Sequence, residues 1–215
     1  MKKMNTLTIV QLALLTALIV MLAFVPYIGY IRIPVLAIQA TTIHIPVIVG
    51  SILLGPKCGA FLGAVFGLTS LINNTTQPSI TSFCFSPFIE MGEGLGGSPL
   101  ALIICFVPRI LCGIVPYYLD RLVRSRSKHP DKIRKYSLLA SGVAGSMTNT
   151  ILVMGMIYLF FGQQYAAAKD LPFEALLGVI LSVVGINGTI EAIIAALVAA
   201  SVVAAVLRAN VLRKK

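Results

Sequence analysis

The chain has 215 residues, of which 58% are hydrophobic and 11% charged; its mean hydropathy is +0.95 and its formal net charge +10. A soluble domain of this length carries about 25% charged residues, so the composition excludes a water-soluble globule and predicts one domain, 1–215, whose solvent is the bilayer. A basic balance could serve nucleic acid, but here the cations fall between apolar runs and at the chain ends, with no aromatic-interleaved basic stripe and no nucleic-acid motif.

A spanning helix takes about 20 mostly apolar residues. The first such run is Leu7 to Val25, closed by Pro26. Lys2 and Lys3 before it also fit a signal peptide, but no small-x-small cleavage site follows closely and the run has full spanning length, which favours a retained helix. Residues 26–40 hold Pro26, Gly29 and Pro34 with β-branched residues between them, and read as a short extended excursion. The second span runs from Thr41 to Leu54, followed by a Gly55-Pro56-Lys57 turn, and the third from Cys58 to Ile72. Gly59, Gly63 and Gly67 recur every four residues there, with Ala60 and Ala64 beside them, so one face is nearly free of side chains and suits close helix packing. Residues 73–99 form a long polar loop containing GEGLGG at 92–97, which is not a nucleotide-binding GxGxxG after a strand. The fourth span, Leu100 to Val123, contains Pro108-Arg109; a basic loop (124–136), a fifth span (Ser137 to Gly162), a loop (163–174) and a sixth span (Ala175 to Leu207) complete the chain. The expected fold is an all-α membrane protein, a compact bundle of six transmembrane helices.

Charge sets the expected orientation. With both termini cytoplasmic, 14 of the 17 Lys and Arg residues lie inside, Arg32 and Lys169 lie outside, and Arg109 falls within a helix. That bias obeys the positive-inside rule, and an even number of spans also requires both ends on one side.

The chemistry lies in the few polar groups that the membrane does not tolerate. Arg109 and Glu191 fall inside the fourth and sixth spans, where each charge costs about 2.5–3.5 kcal/mol unless it meets a partner or a wet cavity. Counting ~1.5 Å per residue from the outer ends puts Arg109 ~13 Å, Asn187 ~18 Å, Asn149 ~20 Å and Glu191 ~24 Å deep. Asn187 and Glu191 are four apart and share a helix face, as do Ser146, Asn149 and Thr150. Two accounts fit: an Arg109–Glu191 ion pair with Asn149–Asn187 hydrogen bonds holding helices together, or an outward-facing substrate pocket between helices four to six. The pocket is favoured, because the 26–40 and 73–99 segments crowd the same side. Cys58, Cys84, Cys105 and Cys112 form no CxxC pair and read as small buried hydrophobes; no metal-ligand, nucleotide or nucleophile–base set is visible, so neither a metal site nor a catalytic residue is expected.

Several stretches together resemble a known family. TTIHIPVIVGSILLGPKCGAFLGAVFGLTSLI (41–72), VPRILCGIVPYYLDRLV (107–123), the NT pair at 149–150 and NGTIEAI (187–193) are similar to S components of energy-coupling factor (ECF) vitamin transporters, and Ala13-Leu-Leu-Thr-Ala17 matches that family's AxxxA motif. The resemblance covers nearly the whole chain. It implies a six-helix, non-enzymatic subunit of the cell membrane that binds a vitamin near the outer side. It also implies docking onto a transmembrane coupling protein and two ATPase subunits, and toppling in the bilayer to carry the pocket inward. ATP would be used by those partners, and this chain would need no cofactor. Ala13 and Ala17 would face the coupling protein. The 73–99 loop and the TTIHIP/GPK pattern are most similar to pantothenate-type members; folate, hydroxymethylpyrimidine and cobalamin carriers, and a stand-alone secondary transporter, are the alternatives.

Overall fold

A computed structural model describes residues 5–25, 29–33, 38–90 and 96–212. Pro26 and Pro34, most of the GEGLGG run, and the terminal cations Lys2, Lys3, Arg213, Lys214 and Lys215 lie outside the described residues.

Helix α1 (Thr6–Phe24) is apolar on every side, and only Ile19 and Ala23 are buried. A helix with no polar face is stable where the surroundings are themselves apolar. The excursion that follows is an antiparallel hairpin, β1 (Tyr30–Ile33) and β2 (Ile38–Thr41), in the register Tyr30↔Thr41 to Ile33↔Ile38. The all-α expectation is corrected to that extent, and the second span is shortened. Thr41 belongs to β2, so α2 (His44–Leu54) has 11 residues and is only ~17 Å long.

Gly55 makes the corner between α2 and α3 (Pro56–Thr76) at φ +96°, a conformation that a side chain disfavours, and Pro56 starts the next helix. Helix α3 runs four residues beyond the expected Ile72. Asn74, Thr75 and Thr76 bond back to the carbonyls of Ser70, Leu71 and Ile72, so residues expected in a loop complete the helix. A 3-10 turn at Ser82–Cys84 lies within the remaining loop.

The expected fourth span is two helices, α4 (Leu100–Cys112) and α5 (Val115–Ser125), broken at Gly113-Ile114. The basic segment 124–136 is not all loop: α6 (Pro130–Ala168) has 39 residues, about 58 Å of helix, and extends well past a 30 Å hydrocarbon core. It departs from helical geometry at Phe161. The sixth span is interrupted too: α7 (Phe173–Val183), a π turn (Val184–Gly188) and α8 (Thr189–Leu212).

Among the described residues four stretches are long and apolar enough to cross a membrane: Thr6–Phe24, Leu100–Ser125, Lys132–Ala168 and Phe173–Ala209. Two apolar clusters hold the bundle. One joins Ile19, Ile43, Val47, Leu62, Leu138, Ala195, Ala199 and Val203; the other joins Phe83, Ile104, Val153, Ile157, Phe161, Leu176 and Ile180. On α4, α6 and the α7–α8 unit, the polar residues 109, 149–150 and 187–191 fall between the portions that feed the two clusters. The site lies at their boundary.

Candidate functional site

The small-residue face of α3 positions the site. A Cβ added at Gly59, Gly63 or Gly67 would fall on the backbone of Gly113, Arg109 or Cys105 respectively. The two helices therefore meet backbone to backbone, antiparallel, in steps of four residues, and this sets the main chain of Arg109 directly against Gly63.

Local chemistry then orients the Arg109 side chain. Pro108 has no N–H, so the carbonyl of Ile104, four residues back, loses its helical donor. The Arg109 guanidinium donates to that carbonyl. It also lies over two rings, 5.5 Å from the centroid of Phe66 on α3 and 5.3 Å from that of Phe85 beyond the 3-10 turn. The thiol of Cys105 donates to the Phe85 carbonyl at 2.9 Å, which holds that segment against α4. Arg109 is only 6% exposed.

This side chain lines a cavity of about 300 Å³. Asn149 and Thr150 of α6, Asn187 of the π turn and Glu191 of α8 line it as well, so the four residues singled out above meet at one space. Their interactions differ from the expected ion pair. Among the described residues no ion pair joins Arg109 to Glu191 and no hydrogen bond joins Asn149 to Asn187. The Glu191 carboxylate instead accepts the backbone N–H of Thr41 at 2.6 Å and the hydroxyl of Thr150 at 3.3 Å. Glu191 thereby fastens the end of β2 to α8 and α6. Asn149 is buried, and its side-chain carbonyl has no hydrogen-bond partner among the described residues. The π turn carrying Asn187 is a geometry that recurs at functional sites in helices.

Other wall residues escaped the sequence reading. Ser70, Asn73 and Asn74 of α3 and Gln77, the residue that caps its end, line the cavity at offsets of 0, 3, 4 and 7, the spacing of one helical face. That signal was present in the sequence, although the Asn/Thr-rich composition resembled a loop. Ser82 donates to Asn74 at 2.9 Å, and Thr75 and Ser86 share a hydrogen bond at 2.8 Å, so the 3-10 turn is fixed to the end of α3. Tyr165, in the portion of α6 beyond Phe161, and Lys169, the residue that caps that helix, also line the cavity, and Val153, Met154 and Ile157 give it an apolar strip. The pocket was expected between helices four to six; α3 is an additional wall. The site offers a buried cation between aromatic rings, a row of neutral hydrogen-bonding groups and an aliphatic strip.

Ala13 and Ala17 are elsewhere. Both are exposed on the outer face of α1, beside Val10 and Leu14, away from the cavity.

The family described as ECF transporter, substrate-specific component, matches residues 7–203. This chain belongs to that family. The pantothenic acid transporter PanT of Lactococcus lactis subsp. cremoris (strain MG1363) is 39% identical over 160 residues, covering 73% of this chain and 74% of that protein. The pantothenate transporter PanT of Leuconostoc mesenteroides subsp. mesenteroides is 28% identical over 182 residues, covering 82% and 80%. The family and both relatives are transporters, and this chain is a substrate-binding membrane subunit of such a system.

Proposed function

We propose that this protein captures pantothenate from the outer side of the cell membrane and delivers it through an ECF module of one coupling protein and two ATPase subunits. In this reading the chain is a single six-span domain with both termini cytoplasmic. It catalyses no reaction, and ATP is hydrolysed by the partners. The charge bias of the sequence supports the orientation; the names of the two relatives support the solute.

One observation carries the substrate assignment: a buried guanidinium, lying over the rings of Phe66 and Phe85, on the wall of a cavity whose other charged residues among those described are Glu191, which is engaged by Thr41 and Thr150, and Lys169. Pantothenate has a carboxylate for Arg109, an amide and hydroxyls for Asn149, Asn187 and the α3 row, and a branched aliphatic portion for Val153, Met154 and Ile157. Glu191 shapes the pocket by holding Thr41. A carboxylate on a buried Arg is a charge-assisted pair, and truncating one partner of such a pair costs ~2–5 kcal/mol.

Calorimetric titration with pantothenate tests this. Arg109→Ala is expected to weaken binding by about 20-fold or more, at tenfold per ~1.4 kcal/mol, with the thermal melt recorded in parallel. An Arg109→Leu variant that folds with undiminished affinity would remove Arg109 from the binding site. The docking face is tested separately. Ala13→Trp or Ala17→Trp should leave pantothenate affinity unchanged while abolishing ATP-driven uptake in vesicles that contain the module, because bulk blocks a close helix contact.

A further inference from the structure

We propose that the corner between α5 and α6 is a binding surface for anionic phospholipid headgroups. Helix α5 is two-sided. Pro116 and Asp120 are buried, whereas Tyr118, Arg121, Leu122 and Ser125 are exposed at offsets of 0, 3, 4 and 7, one outward face. The next helix starts in the same style, with Lys132, Lys135 and Tyr136 exposed.

Asp120, one of the two acids in this corner, faces inward. The Asp120 carboxylate accepts the Ser137 hydroxyl at 2.7 Å and pairs with Arg124 at 2.8 Å. The Ser137 contact also sets α5 and α6 at a common level, with Tyr118 two residues before Asp120 and Tyr136 one before Ser137. These tyrosines are 56% and 69% exposed. Tyrosines near the ends of spanning segments sit at headgroup depth, and here Tyr118 falls in the last third of the stretch Leu100–Ser125 and Tyr136 in the second turn of Lys132–Ala168.

Residues 115–136 contain seven Lys and Arg and two Asp, so the corner is strongly cationic. Arg121, Arg126, Lys128, Lys132 and Lys135 all point to the surface. Clusters of four to eight such residues beside a spanning helix attract anionic lipid. An acidic protein surface would also meet the cations. The interleaved Tyr118, Leu122 and Tyr136 favour lipid, because an amphipathic aromatic–basic face suits the headgroup boundary, where aliphatic and charged groups are stabilised side by side.

Native mass spectrometry of the intact chain, delipidated and then offered equal phosphatidylglycerol and phosphatidylcholine, tests this. The parent should retain phosphatidylglycerol in at least about fivefold preference. The variant with Arg121, Arg126, Lys128, Lys132 and Lys135 changed to Gln should lose that preference while melting like the parent in neutral detergent. A charge-keeping variant with the same arginines changed to Lys and lysines to Arg should retain it. A parent without preference overturns the proposal, whatever the variants do. So does a glutamine variant that keeps the preference, and if that variant instead fails to assemble with the ATPase module, the surface belongs to an acidic protein. Should the fivefold glutamine variant not fold, Arg121→Gln/Lys135→Gln, which removes one cation from each helix, is expected to halve the preference.

Discussion

Glycine is used in opposite ways on the two sides of the cavity. Along α3, Gly59, Gly63 and Gly67 are contact residues, each so close to α4 that a Cβ would strike backbone. Along α7 and the π turn, nothing lies within 4 Å of where a Cβ would stand on Gly178 or Gly185, and Leu177, Leu181 and Ile186 are exposed around them. The wall that carries Arg109 is fixed by main-chain packing. The wall that carries Asn187 is a thin segment, covered on its outer side by whatever surrounds the protein. The main chain that carries the cation is therefore locked against α3, whereas the opposite wall has no such contact at Gly178 or Gly185.

The largest effect should come from breaking the packed side. Gly63→Leu has no room against the Arg109 carbonyl, and the backbone of α4 cannot yield as a flexible side chain would. Destabilisation of about 3 kcal/mol or more is expected, at the top of the range for overpacked cores, seen as a large fall in the melting temperature in detergent. Gly178→Leu, the same change on the open side, should stay within about 0.5 kcal/mol of the parent, as surface substitutions do. Equal losses at the two positions would erase the contrast between the walls.

A smaller effect is expected at the link between the walls and the hairpin. Glu191→Leu leaves the Thr41 N–H and the Thr150 hydroxyl without their acceptor, at a cost of about 1–3 kcal/mol. The loss should be local: amide exchange at 38–42 should accelerate, while the α3–α4 seam keeps its protection. Glu191→Gln, which retains an acceptor oxygen, should restore most of that protection.

Legibility from sequence follows the same division. The small face of α3 is visible from a four-residue repeat, because it is a property of one helix. That its partners are Gly113, Arg109 and Cys105 is not visible, because pairing between helices is decided by how two surfaces fit. The extended character of 26–40 follows from its β-branched residues, whereas the register Tyr30↔Thr41, which takes Thr41 from the second span, depends on pairing with a strand whose facing residue is eleven positions away. The run Ser70, Asn73, Asn74 and Gln77 was legible in spacing and obscured by composition. Its polar side chains oppose a lipid-facing helix, but they suit one whose end faces a wet cavity. Arg109 and Glu191 attract notice as isolated charges in apolar runs. Which groups they bond to depends on a proline-freed carbonyl in one case and on the hairpin in the other.

The smallest expected effect is the most specific to how the fixed wall is built. Pro108 contributes no side-chain hydrogen bond, and its consequence is an unclaimed carbonyl at Ile104, which the Arg109 guanidinium takes. In Pro108→Ala the restored N–H should bond that carbonyl, straightening α4 and raising the melting temperature slightly, since interior proline is unfavourable in a helix by up to about 3 kcal/mol. The guanidinium would then compete with a backbone donor for its anchor. Pantothenate affinity should change severalfold although residue 108 is absent from the cavity wall, and it should do so only where Arg109 is present: in the Arg109→Ala background, Pro108→Ala should have no further effect on binding. That double-mutant cycle separates a proline that orients the cation from one that merely bends the helix. If Pro108→Ala alters affinity equally in both backgrounds, the bend itself shapes the cavity, and the Ile104 carbonyl is incidental to how Arg109 is held.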